Sequence, residues 1–243
     1  MMNKENSPFR EVSVIFPTYN ERENIAEAIE RVTKTLDDNL LEIIIVDDNS
    51  PDETWKLVEE LDHPKVKLIQ RINERGLASA LATGIKKAKG DIIVWMDSDL
   101  GLPPEVIPRL VEKLEDYDLA IGSRFVDIGK DLRKRWIRIS SHLINLFAQL
   151  VLGSHIKDYT SGFIAVRKEV FNTIKINPKG FGEYFIEFVY QCSNNKFKIT
   201  EVGYVYGDRA GGVSKSTDNV LIFLKFGFQY FLKIVGLKLK KKG

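Results

Sequence analysis

Short apolar runs alternate with segments of helical spacing along the first half of this chain, and that alternation restricts its fold more than any other feature. Val12 to Phe16 reads as a buried strand, and Asn24 to Thr35 then carries apolar residues at Ile25, Ala28, Ile29 and Val32, the spacing of one helix face. The pattern repeats as a strand from Glu42 to Val46 with a helix from Glu53 to Leu61, and as a short strand from Val66 to Gln70 with a helix running to Ala88. A further strand from Ile92 to Met96, a helix from Glu105 to Leu114 and a strand from Leu119 to Arg124 complete it. Parallel neighbours need crossover connections of this length, so the expected fold is α/β, with a mainly parallel sheet flanked by helices.

In such a sheet, ligands gather at the carboxyl ends of the strands. Polar residues fall there repeatedly: Pro17 to Glu21, Asp47 to Asp52, Asp97 to Asp99, then Ser123-Arg124. Four polar exits from four adjacent strands are expected to converge on one crevice. Strand periodicity turns Asp97 and Asp99 to the same side where the strand emerges, and Ser98 to the other. Paired carboxylates suit Mg²⁺ or Mn²⁺, which take hard oxygen ligands together with substrate phosphates. A nucleotide diphosphate sugar is the leading substrate class.

The 243 residues and 44% hydrophobic content describe an ordinary globular protein of one large domain or two small ones. A net charge of +2 is neutral in itself, but basic residues cluster at Lys130 to Arg138 and at Lys238 to Lys242, where they suit phosphate or anionic lipid. No nucleic-acid partner is expected. Cys192 is the only cysteine, which rules out an intrachain disulfide or a cysteine-based zinc site and fits a reducing, cytosolic setting. Met1 to Glu11 is polar and has no apolar core of a signal peptide.

Six motifs in order, Phe16-Pro17-Thr18-Tyr19-Asn20-Glu21, Val46 to Asp52, Asp97-Ser98-Asp99, Gly122-Ser123-Arg124, Asp158 to Phe163, and Asp208-Arg209 to Ser214-Lys215, resemble those of glycosyltransferase family 2. Within it they are similar to the dolichyl-phosphate mannose synthases. The resemblance implies the Rossmann-like GT-A fold over about residues 10–218, with Pro17, Tyr19, Glu21 and Asp48 lining the nucleoside pocket. It implies Asp97 and Asp99 as metal ligands and contacts to the nucleotide diphosphate, with Arg124, Arg209 and Lys215 assisting the leaving group. Arg138, Ser141 and Ser214 are the expected acceptor-phosphate contacts, and Asp158 either binds sugar hydroxyls or orients a cation. The chain departs from these synthases at Gly101, where many carry a glutamine beside the Asp-x-Asp. Water, Ser98 or a backbone oxygen would then complete the metal's shell.

The implied reaction moves a hexose, mannose from GDP-mannose by family weight, onto dolichyl or another polyprenyl phosphate. A phosphate monoester has a second pKa of ~6 and is already anionic at neutral pH, so no strong general base is obligatory. Rival expectations are a UDP-glucose enzyme, a transferase extending a surface glycan, and a nucleotide-sugar-binding subunit without turnover.

Residues 219–243 are expected to form an amphipathic helix with a basic tail. Its apolar run spans only ~27 Å, and Lys225, Gln229 and Lys233 interrupt it on one face. A lysine at mid-membrane costs roughly 2.5 to 3.5 kcal/mol, so the helix is expected to lie in the interface, lysines toward headgroups and Phe223, Phe226 and Leu232 toward the acyl chains. Ile139 to Leu152 is expected to join it as a greasy wall. These features place the protein on the cytoplasmic face of a membrane, peripheral or monotopic, bound directly or through a small membrane partner.

Overall fold

The protein is represented by a computed structural model that describes residues 11–153, 155–207 and 220–240, with side chains from 225 onward in the last stretch. Strands β1 (Val12–Thr18), β2 (Leu40–Asp47), β3 (Val66–Gln70) and β4 (Ile92–Trp95) alternate with helices α1 (Ile25–Leu36), α2 (Thr54–Glu60) and α3 (Leu77–Lys87). All pairings among these four strands are parallel. Helix α4 (Ile107–Lys113), entered through a 3₁₀ turn at Pro104–Val106, leads to β5 (Leu119–Ser123). Pro108 is tolerated because it sits in the first turn of α4, where its missing N–H has no helical acceptor.

The expected run of adjacent strands is corrected at one point. After the two-residue strand β6 (Lys130–Asp131) and helix α5 (Arg135–Leu152), the chain returns as β7 (Ile164–Arg167), which lies antiparallel between β4 and β5. The sheet order is β3-β2-β1-β4-β7-β5-β8, so the exits of β2, β1 and β4 are neighbours while that of β5 stands one strand further away. Four residues directly behind a dense polar turn carry too little period to announce a strand. Their buried apolar side chains on both faces nonetheless suit a central position.

Helix α6 (Glu183–Asn194) precedes β8 (Ile199–Gly203) and β9 (Val205–Tyr206). β9 leaves the main sheet to pair with β6, Val205 opposite Lys130 and Asp131 opposite Tyr206. One apolar cluster, built on Val12, Val14, Ile29 and Leu110, lies under α1 and α4. The other, built on Ile15, Trp95, Phe188 and Ile234, lies under α3, α5, α6 and the last helix. At Gly84 a Cβ would come within 2.5 Å of Ile15, so only glycine lets α3 approach β1 this closely.

Helix α7 (Val220–Lys240) packs on α5 and α6. Ile234 and Leu237 are buried, Phe231 stacks on Phe147, Phe226 stacks on Phe181, and Lys233 donates to Glu187 at 2.7 Å. The lysine stripe expected to face headgroups is therefore divided: Lys225 is exposed, while Lys233 turns inward to an acidic partner. Phe226 is likewise held by the protein, and the side chain of Phe223 lies outside the described residues. The outer face of α7 is formed instead by Phe228, Phe231, Leu232 and Leu239, beside exposed Ile139, Leu143, Leu146 and Leu150 of α5. Among the described residues no helix is long and apolar enough to cross a membrane.

Candidate active site

The exits of β1, β2 and β3 enclose a cavity of about 390 Å³. Tyr19, Asp48, Asn49 and Pro51 form one side, and Ile72 to Arg75 the other. The wall is fixed from beneath. Asp48 Oδ1 accepts from Nε of Arg71 at 2.7 Å and from its Nη2, and Oδ2 accepts the Gly76 N–H at 2.7 Å. Arg71 and Asp48 are both buried, and the same guanidinium donates to Ser79 and to the Gly76 carbonyl, tying the turn after β3 to that after β2. Neighbouring Asp47 is a turn-former, accepting from Thr18 and from both the N–H and hydroxyl of Ser50.

Tyr19 offers the cavity a flat face, and the Arg75 guanidinium lies 3.8 Å above its ring. Of the four expected nucleoside contacts, Tyr19 and Asp48 line this cavity. Pro17 remains within β1, paired in register with Val46. Glu21 is buried at the entry to α1, where its carboxylate accepts from Asn24. Arg71 and Arg75 follow β3 at a strand exit that carries no acidic pair or other motif to mark it, so only the fold brings them to the cavity.

The Asp97-Ser98-Asp99 segment lies just past β4, in a turn. Strand alternation therefore does not set its orientations: Asp97 is half-buried, and Ser98 and Asp99 are both buried. Leu100 adopts φ 61°, a left-handed conformation costing a bulky residue about 1–3 kcal/mol, and such strain gathers where a turn must be held for a purpose. Gly101 donates its N–H to Asp99 Oδ1 at 3.0 Å, and its carbonyl accepts the Gly207 N–H at 3.2 Å. A Cβ at this position would lie 3.2 Å from Asp99 Oδ1 and 3.2 Å from the Tyr206 ring. In this chain the Tyr206 ring fills the space toward which a residue-101 side chain would grow.

Two carboxylates on one tight turn fit a divalent cation that keeps water and substrate phosphate as its other ligands. Among the described residues no third His, Cys, Asp or Glu joins them to make a closed cage. Burial, with the nearby charges of Asp99 and Asp97, raises the Tyr206 pKa, and burial with Asp97 raises that of Tyr184. Both phenols stay neutral hydrogen-bonding groups beside the acidic turn.

Beyond Tyr206 lies a cationic group of unexpected construction. Arg124 is buried and binds Asp158 through its backbone N–H at 3.0 Å, Nε at 2.9 Å and Nη2 at 2.6 Å, with Thr160 as a further acceptor. Burial disfavours its charge, but Asp158 outweighs burial and raises the guanidinium pKa. Asp158 is fully buried, so its carboxylate orients a cation. Nη1 of Arg124 stands 3.8 Å from Asp131, outside hydrogen-bond range. Arg133 forks onto Asp131 at 2.9 and 2.6 Å and lies 4.7 Å from the Tyr206 ring centre. Arg138 is exposed and reaches the Asp131 carbonyl at 3.3 Å, and the Ser141 carbonyl accepts from Asn145. Arg209, Ser214 and Lys215 lie outside the described residues.

Comparison with known proteins bears on the family and the fold. Residues 13–175 match the family model described as glycosyl transferase family 2. The chain is 43% identical over 210 residues to a dolichol-phosphate mannosyltransferase of Pyrococcus furiosus, covering 84% of this chain and 58% of that protein. It is 35% identical to the polyprenol monophosphomannose synthase of Mycolicibacterium smegmatis, covering 86% of this chain and 82% of that one. The dolichol-phosphate mannosyltransferase of Saccharomyces cerevisiae is also 35% identical, over 87% and 83%. Among solved structures, glucosyl-3-phosphoglycerate synthase from Mycobacterium tuberculosis, in complex with Mn²⁺, UDP and glucosyl-3-phosphoglycerate, superposes with a TM-score of 0.72 at 20% identity. That superposition covers 93% of this chain and 79% of the other, a likeness of fold.

Proposed function

The chain belongs to glycosyltransferase family 2, and on that premise we propose that it transfers mannose from GDP-mannose to a polyprenyl phosphate such as dolichyl phosphate at the cytoplasmic face of a membrane. One observation carries the reading: the Asp97–Asp99 turn stands at the edge of the Tyr206 ring, with Arg124 and Arg133 5.9 and 4.7 Å from that ring's centre, and the Tyr19–Asp48 cavity opens from the neighbouring strands. A nucleoside against Tyr19 would direct its diphosphate toward the aspartates, leaving the cationic group for a second anion.

Asp97 and Asp99 would hold Mg²⁺ or Mn²⁺, which supplies positive charge to the departing diphosphate. Tyr19 offers the base a stacking face, and Asp48 keeps the cavity wall in place through Arg71. Arg124, oriented by Asp158, keeps Nη1 for a phosphate oxygen, with Arg138 and Ser141 on the acceptor side and Arg209, Ser214 and Lys215 as further phosphate contacts. The acceptor is already an anion, and it displaces the nucleotide without surrendering a proton to the protein.

The test offers radiolabelled GDP-mannose and UDP-glucose with polyprenyl phosphate, in Mg²⁺, Mn²⁺ or chelator. Lipid-linked mannose formed from GDP-mannose and abolished by chelator is the expected result. Absence of lipid-linked product from every donor, or turnover unchanged in an Asp97→Asn/Asp99→Asn variant, would overturn it.

A further inference from the structure

The segment leading into α5 has two chemically opposite faces. Side chains alternate across extended backbone, and from Lys130 to Lys134 the residues Lys130, Leu132 and Lys134 are exposed while Asp131 and Arg133 turn inward beneath Tyr206; Ile128, in the turn before β6, is exposed beside Asp127. Ile128 is 60% exposed, Leu132 56%, and Val205, which pairs with Lys130 on β9, 40%. Hydrogen bonds from Lys130 N–H to the Tyr204 carbonyl and from Leu132 N–H to the Tyr206 carbonyl fix this edge, so the exposure belongs to ordered backbone. Single exposed apolar residues need no explanation, but three gathered on and immediately around one two-stranded sheet, interleaved with lysines, do.

We infer that the outer surface of the β6–β9 sheet and its flanking residues docks on an anionic lipid bilayer, Ile128, Leu132 and Val205 entering the acyl boundary while Lys130 and Lys134 reach the headgroups. The bilayer is favoured by charge: three exposed cations, Lys130, Lys134 and Arg135, outnumber the exposed acid of the segment, Asp127, a balance complementary to anionic headgroups. Lysine stems also lie along apolar surface while their ammonium groups stay in water, which suits an interface. The edge continues through exposed Trp136, a side chain enriched at membrane interfaces, into the apolar row of α5. Because Asp131 and Arg133 occupy the inner face of the same strand, docking would set the cationic group one strand's thickness from the lipid, within reach of a phosphate at headgroup level. This rests on the proposed polyprenyl-phosphate acceptor but concerns a surface outside the site itself.

The experiment uses the full chain, its Ile128→Glu/Leu132→Glu variant, and a Leu132→Trp variant carrying a fluorescent reporter. Vesicles of phosphatidylcholine, with and without phosphatidylglycerol, are the probe. The double variant should retain its far-ultraviolet spectrum and GDP affinity, bind anionic vesicles about tenfold or more weakly, and lose transfer to vesicle-borne acceptor while retaining transfer to a detergent-dispersed short polyprenyl phosphate. Leu132→Trp emission, after subtraction of the native chain's Trp55, Trp95 and Trp136 signal, should shift to the blue on anionic vesicles. Unchanged vesicle binding by the double variant, together with unshifted emission from the Leu132→Trp variant, would overturn the inference. So would an intact protein that ignores vesicles, or a double variant whose only change is in oligomeric state, which would make the patch a contact between copies. Failure of the intact protein to transfer sugar to either acceptor would defeat the functional reading instead, and the vesicle measurements would still judge the surface.

Discussion

Arg124 and Asp158 show how a residue's role depends on a partner far away in sequence. Both stand in recognisable motifs, yet 34 positions separate them and neither motif reveals that the two are buried against each other. Removing one side of a buried ion pair leaves a charge without compensation, at about 3–5 kcal/mol. Asp158→Asn should lower the free energy of unfolding by an amount of that order, read by circular dichroism as a lower urea midpoint with an unchanged slope. Gly101 was legible as a departure, but its consequence was not. The Tyr206 ring stands where a side chain would extend, and a single methyl would press on Asp99. Gly101→Ala should leave the melting temperature nearly unchanged and weaken Mn²⁺ binding several-fold, read by electron paramagnetic resonance with GDP present.

At the level of elements, periodicity located α1, α2, α3 and α7 closely, because a helix writes its buried face into any two turns of sequence. It says less about where that face is used. The four-residue spacing of Lys225, Gln229 and Lys233 correctly places them on one side of α7, but the Lys233–Glu187 pair turns part of that side onto α6. Burial raises the Glu187 carboxyl, and the hydrogen bonds from Lys233 and Asn177 outweigh it, leaving the net pKa below the ordinary value. A depressed carboxylate stabilises the folded state above its unfolded pKa and loses that contribution as pH falls through its folded pKa. Melting curves of the native chain and Glu187→Gln should therefore differ most near neutrality and converge as pH falls below the ordinary carboxylate range. A difference that widened in acid would contradict the pairing.

Across the whole molecule, the parallel half directs its chemistry to one edge, as doubly wound sheets do. The GT-A class, the position of Tyr19, Asp48 and the Asp-x-Asp turn, and the cationic nature of the second half were all legible. The depth of Arg124, the anchoring of Asp48 by Arg71 and the approach of Tyr206 to Gly101 were not. Hydrogen exchange on anionic vesicles should slow amides of β6, α5 and α7, and leave those of α2 and β3, at the far end of the sheet order, unaffected. Slowing spread evenly over both ends would argue against a fixed orientation at the membrane.

By itself the sequence determined the alternation of strand and helix, the polar strand exits and the acidic pair, since each is a property of a few consecutive residues. Only the tertiary structure decided that β7 enters antiparallel between β4 and β5, that Arg124 is held by Asp158, and that the short segment around β6 divides its side chains between an outer apolar and basic surface and an inner ionic one. Those outcomes depend on which distant segments meet. Contact across 30 or more positions, as between Arg124 and Asp158, is set by sheet order and packing, and local periodicity does not record it.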